Sequence, residues 1–210
     1  MSEGPKKAGV LGSPIAHSRS PQLHLAAYRA LGLHDWTYER IECGAAELPV
    51  VVGGFGPEWV GVSVTMPGKF AALRFADERT ARADLVGSAN TLVRTPHGWR
   101  AALSELRATT VMSVTPSSAS PTTAAAEVLV STIPAEVAAG YAGTLAAIPV
   151  LLDAIYDPWP TPLAAAVGSA GGRVISGLQM LLHQAFAQVE QFTGLPAPRE
   201  AMTCALAALD

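Results

Sequence analysis

Charge, cysteine and long hydrophobic runs are all scarce in this sequence. Asp, Glu, Lys and Arg make up 15% of its 210 residues, against about 25% in an average soluble domain. The formal net charge is −3 and no Lys/Arg cluster occurs, which excludes the basic footprint of a nucleic-acid binder. Two cysteines, Cys43 and Cys204, are too few for a secreted disulfide scaffold and fit a reducing compartment. The longest uncharged apolar run, Val137 to Leu152, is broken by Gly140, Gly143 and Pro149. A membrane span needs about 20 predominantly apolar residues. No apolar stretch of signal-peptide length opens the sequence, so a cytoplasmic protein with no membrane contact is expected. No Gly-x-Gly-x-x-Gly follows a strand, and neither a Walker-type loop nor a Gly-x-Ser-x-Gly elbow occurs. The five histidines lack metal-ligand spacing with the cysteines, and no metal site is expected.

What is present is enough to fold, since half of the residues are hydrophobic. Strand-like and helix-like segments alternate over the first hundred residues, the signature of an α/β layer architecture. Lys7 to Leu11 reads as a strand. Ser20-Pro21 opens a helix that ends before Gly32. Trp59 to Val64 is the clearest strand, and Pro96-His97-Gly98 marks a hairpin. Ala108 to Ala126 contains no charged residue and is almost entirely Ala, Ser, Thr and Pro, a linker composition. Beyond it the pattern resumes. Glu127 to Ile175 has a βαβαβ rhythm, with one helix expected over Pro134 to Ala147. A long amphipathic helix follows from Leu178 to Phe192.

Four segments could carry chemistry. In Gly12 to Pro21, Ser18 and Ser20 stand where a helix begins, so hydroxyls and free N–H groups could bind an anion. The plainer alternative is that Ser20 caps the helix and Ser18 faces solvent. In Ser63 to Lys69, Thr65 ends a strand, where α/β sheets place ligands. Lys69 starts the next helix, where the helix dipole disfavours a cation and eases deprotonation. It could equally be a solvated surface lysine. Asn90-Thr91 could contact a polyol or satisfy a turn. Gln184, with Gly177 ahead of it, is either a ligand contact or the edge of an apolar stripe.

Taken in order, GSPIAHSRSP (12–21), SVTMPGK (63–69), GSANTL (87–92), LLDAIYDPWPTPL (151–163) and SGLQMLLHQAFAQVEQFTG (176–194) closely resemble the shikimate dehydrogenases. These are NADP-dependent enzymes of the shikimate pathway. The resemblance implies an α/β fold in which an N-terminal substrate domain (1–100) is completed by C-terminal helices (177–210). A truncated Rossmann-like NADP-binding domain (127–176) lies between them, preceded by an atypical segment (101–126), and the active site lies in the cleft. Ser18 and Ser20 would then hold the substrate carboxylate. Thr65, Asn90, Tyr156 and Gln184 would hydrogen-bond its carboxylate and ring hydroxyls. Lys69 would be catalytic, donating to the 3-oxo group of 3-dehydroshikimate as NADPH delivers hydride to form shikimate. Ala154 and Gly177 would lie near the nicotinamide. The partner implied is this small-molecule substrate, and a homodimer is compatible with it.

The departures from the family pattern are specific. The family's second hairpin strand runs into Asp-Asn-Thr-Asp, whose first Asp pairs with the lysine. Here the strand runs into Ala102-Leu103-Ser104-Glu105. The glycine-rich phosphate loop and the basic residues that would read the NADP 2′-phosphate have no counterpart, and Ser63 replaces a usual asparagine. An internal deletion with impaired dehydrogenase activity is therefore expected. The alternatives are a catalytically inactive shikimate-binding remnant or a poorly folded fragment.

Overall fold

The computed structural model describes residues 5–104 and 126–208. These fall into two units, one comprising the described residues up to Ser104 with those from Leu182 onward, the other running from 126 to Leu181. Most of the Ala/Ser/Thr/Pro segment, with Glu105, lies outside the described residues.

The first unit contains β1 (Lys7–Gly12), β2 (Thr37–Glu42), β3 (Trp59–Val64), β4 (Glu78–Arg79), β5 (Thr91–Thr95) and β6 (Gly98–Ala102). They form one mixed sheet in the order β2-β1-β3-β5-β6-β4, in which β1 pairs parallel with both β2 and β3. Its central position explains the near-continuous small and apolar sequence of β1, because a parallel strand is covered on both faces. β2 sits at the edge, which is where Glu39, Arg40 and Glu42 can be accommodated. β5 and β6 form the expected antiparallel hairpin, with Gly98 at φ 134. Helices α1 (Ser20–Ala30), α2 (Leu48–Gly53), α3 (Lys69–Phe75) and α4 (Ala81–Val86) connect the strands. The sequence reading missed β4 and α4. The latter is short, but its ends are marked: Thr80 Oγ1 accepts from the Ala83 N–H (3.3 Å), and Gly87 ends it at φ 71.

The core beneath this sheet is built from Leu11, Leu48, Val52, Val62 and Leu92, all fully or almost fully buried, with Phe55 stacked on Trp59 at 3.9 Å. The later turns of α8 (Gly177–Thr193) close on the sheet at Gly61, where an added Cβ would strike the Phe192 ring. α9 (Arg199–Ala207) packs on α1.

The second unit holds β7 (Val128–Ser131), β8 (Val150–Asp153) and β9 (Arg173–Ser176), paired parallel in that order. The single helix expected over Pro134–Ala147 is instead two short ones, α5 (Ala135–Ala139) and α6 (Ala142–Leu145). They are interrupted at Gly140-Tyr141, where glycine weakens helix propensity. α7 (Pro162–Ser169) is capped by Thr161, whose Oγ1 accepts from the Ala164 N–H at 3.1 Å. Gly171 (φ 87) makes the turn after it, so the glycines at 168, 171 and 172 mark a helix terminus. One sheet face is covered, with Leu129, Leu151 and Val174 against Ala138, Leu163, Ala164 and Val167. On the other face, Val128 and Val130 of edge strand β7 are 56% and 58% exposed. Among the described residues, no helix is long and apolar enough to cross a membrane.

Candidate active site

In the first unit, the candidate residues come from the loops that leave β1, β3 and the segment before β5. The Ser13 N–H donates to the Met66 carbonyl at 3.0 Å, tying the loop after β1 to the loop after β3. An added Cβ at Gly12 would strike Thr65 Cγ2, so only glycine lets Thr65 rest against the first loop. Ser18 and Ser20 are 6% and 3% exposed, and the Ser20 N–H donates to Ser18 Oγ at 3.3 Å. The plainer reading of this pair therefore fails. Ser18 does not face solvent, and the N-cap of α1 is Arg19, with no side-chain capping bond.

Lys69 is the first residue of α3 and half-buried, and its carbonyl accepts from the Ala89 N–H at 3.2 Å. Burial pushes its ammonium pKa below the ordinary lysine value. The cause is desolvation of the ammonium by burial. The Val64 N–H donates to the Asn90 carbonyl at 2.8 Å, which sets Asn90 beside the end of β3. The Asn90 side chain is buried and engaged on both sides. Its Oδ1 accepts from Thr91 Oγ1 (2.9 Å) and the Ser104 N–H (2.8 Å), while Nδ2 donates to the Ser104 carbonyl (2.6 Å). α8 joins this cluster through Gln188, whose Nε2 donates to the Asn90 carbonyl (3.3 Å) and Thr91 Oγ1 (3.1 Å). Gln184 lies one turn earlier on the same helix face and is half-buried. Sequence reasoning missed Gln188, although its i+4 spacing from Gln184 was a usable signal.

In the second unit, Ala154, Tyr156 and Gly177 are brought together at the C-terminal ends of β8 and β9. The buried Asp153 carboxylate anchors the loop there, accepting from the Ile155 N–H (3.2 Å) and from Thr161 Oγ1 (2.6 Å). An added Cβ at Gly177 would strike the Ala154 carbonyl and press on the Tyr156 ring, so the contact requires glycine.

The described residues give Lys69 no carboxylate partner from β6. Residues 98–104 contain none, and Asp77 accepts from the Trp99 N–H (2.8 Å) at the opposite end of that strand. Arg173 is the single basic residue of 126–181 and stands at the start of β9, whereas Gly177 follows its end. Neither β7 nor β8 leads into a glycine loop. No group of three or more His, Cys, Asp or Glu that could hold a metal occurs among the described residues. An open depression of about 320 Å³ lined by Ala45, Ala46, Pro49, Ala71, Arg74 and Phe75 contains none of the candidate residues.

Comparison with known proteins gives a consistent set of matches. Residues 10–92 match the shikimate dehydrogenase substrate binding domain, and residues 177–206 match the shikimate 5'-dehydrogenase C-terminal domain. A crystal structure of Mycobacterium tuberculosis shikimate dehydrogenase is 71% identical, with a TM-score of 0.90 over 97% of this chain and 100% of that one. A shikimate 5-dehydrogenase from Mycobacterium fortuitum is 51% identical, with a TM-score of 0.85 over 98% and 99% of the two chains. Shikimate dehydrogenase (NADP(+)) from Roseobacter denitrificans is 45% identical over 86 residues, 40% of this chain and 31% of that protein. The match to such curated relatives thus spans only about a third of their length.

Proposed function

The chain belongs to the shikimate dehydrogenase family, and we propose that it binds a shikimate-type carboxylic acid but has lost much of the family's hydride-transfer activity. The buried Ser18-Ser20 pair, in a segment whose first residue Gly12 abuts Thr65, carries the first half of this reading. Two hydroxyls in a desolvated loop suit a carboxylate better than a neutral group, because hydrogen bonds to ionised acceptors are the stronger ones. Thr65, Asn90, Tyr156 and Gln184 serve the carboxylate and ring hydroxyls. The Asn90 side chain must exchange one of its bonds to Ser104 or Thr91 to do so.

Lys69 acts as the acid. Partial burial lowers its pKa towards the range where an ammonium gives up a proton readily, here to the oxygen of the 3-oxo group as it becomes a hydroxyl. NADPH, when bound, would supply the hydride, and Ala154 and Gly177 are the residues that would hold its nicotinamide. The weakness lies in holding that cofactor. Arg173 is at the wrong end of its strand to meet a phosphate, and no glycine loop offers backbone N–H groups. Lys69 also lacks a described carboxylate to orient it, and acid/base assistance is worth roughly 10²–10⁴ in rate. Two free cysteines are consistent with a cytoplasmic location.

Calorimetry on the full chain tests the reading. Heat on titration with shikimate, and little or none with NADP, is the expected result. Rapid NADPH oxidation with 3-dehydroshikimate by protein of this sequence would refute the claim of lost activity, and no heat with shikimate would refute the claim of binding.

A further inference from the structure

Strand β2 presents Tyr38, Arg40 and Glu42 at alternate positions, hence on one sheet face, and all three engage the loop that carries Ser18 and Ser20. Glu42 Oε2 accepts from the Ile15 N–H at 3.1 Å. Arg40 donates twice to the Ser18 carbonyl, from Nε at 2.8 Å and from Nη2 at 2.6 Å. The buried Tyr38 hydroxyl donates to Ser63 Oγ at 2.7 Å and is also in hydrogen-bonding reach of the Ser20 hydroxyl. The Tyr38 ring is fixed in turn, stacked on His24 at 4.0 Å, and His24 Nδ1 donates to the Ser20 carbonyl at 2.9 Å.

The geometry points to Tyr38 and Arg40 as positioning residues for the carboxylate-binding serines, Tyr38 setting the Ser20 hydroxyl and Arg40 the Ser18 backbone. This rests on the reading that the serines take a carboxylate. A serine hydroxyl rotates freely about its C–O bond, and its hydrogen goes to whichever acceptor is best placed. With its own hydrogen committed to Ser63, Tyr38 is left as a lone-pair acceptor towards Ser20. An anionic ligand outcompetes that neutral acceptor, so the Ser20 hydrogen is held close to the ligand and released to it on binding. The Arg40 fork fixes a carbonyl whose movement would swing Ser18 out of register. Arg40 also brings a positive charge to the loop, its guanidinium donating to the Ser18 carbonyl and the Gln22 amide oxygen.

The test compares two ligands, shikimate and its methyl ester, titrated calorimetrically into the wild-type chain, Tyr38→Phe and Arg40→Gln. Tyr38→Phe keeps the ring stack and removes only the hydroxyl. Both variants should bind shikimate roughly five- to tenfold more weakly, the scale of one misplaced hydrogen bond, and should bind the ester within about twofold of wild type. A merely structural role would weaken both ligands alike, and that result overturns the inference. So does undiminished shikimate affinity in both variants while the wild type binds. A wild-type chain that bound neither ligand would overturn the functional reading and this inference with it.

Discussion

Acidification should destabilise this chain through His24. The residue is 0% exposed, packed between Tyr38 and Phe192, with Nδ1 donating to the Ser20 carbonyl and Nε2 buried without a partner. Burial outweighs that hydrogen bond and pulls its pKa from 6.5 down to about 4. The folded state therefore resists a proton that the unfolded chain accepts. Above the unfolded value both states are neutral, and His24 costs nothing. As pH falls through the window from 6.5 to about 4, only the unfolded state gains the proton, so stability drops. Between about pH 7.5 and about pH 5 the loss amounts to roughly 2 kcal/mol. That corresponds to about 4–8 °C in the melting temperature of a chain this size. The assay is urea unfolding at both pH values for the wild type and His24→Phe, which cannot titrate. The wild type should lose roughly 2 kcal/mol more than the variant over that interval. Parallel losses in the two proteins would refute the argument, because some other group would then carry the pH dependence.

Two further outcomes follow from the packing. Asn90→Ala strands the Ser104 N–H and the Ser104 carbonyl in a buried site, and should cost roughly 2–4 kcal/mol by chemical denaturation. A loss under about 0.5 kcal/mol, the range of ordinary surface changes, would mean the network is not structural. Val130→Lys on the exposed face of β7 should leave stability within about 0.5 kcal/mol of the wild type by chemical denaturation, because the side chain it replaces is 58% exposed. A loss of 2 kcal/mol or more, roughly that of a buried apolar side chain, would show that this face is covered in the folded protein.

Apart from β4, α4 and the break at Gly140, the order of strands and helices was legible where it rests on local chemistry, as with Pro21 in the first turn of α1 and Pro96-His97-Gly98 at the hairpin. The family motifs also marked which residues to watch. What the sequence could not reveal was burial. Ser18 and Ser20 could be read as a solvated residue and a cap, yet both are buried, in a segment that Arg40 of β2 grips at the Ser18 carbonyl. The charged side chains Arg40 and Glu42 of β2 grip this loop, a tertiary role invisible to local pattern. Lys69 shows a similar limit. Its helix position suggested the right direction of pKa shift, but the cause is burial, which depends on chain segments distant in sequence.

A crystal structure of the chain grown with shikimate would test the central claim most directly. The account predicts the carboxylate within about 3 Å of the Ser18 and Ser20 hydroxyls, with Lys69 Nζ reaching the 3-hydroxyl oxygen. Shikimate bound elsewhere, with both serines still turned into the protein, would contradict it.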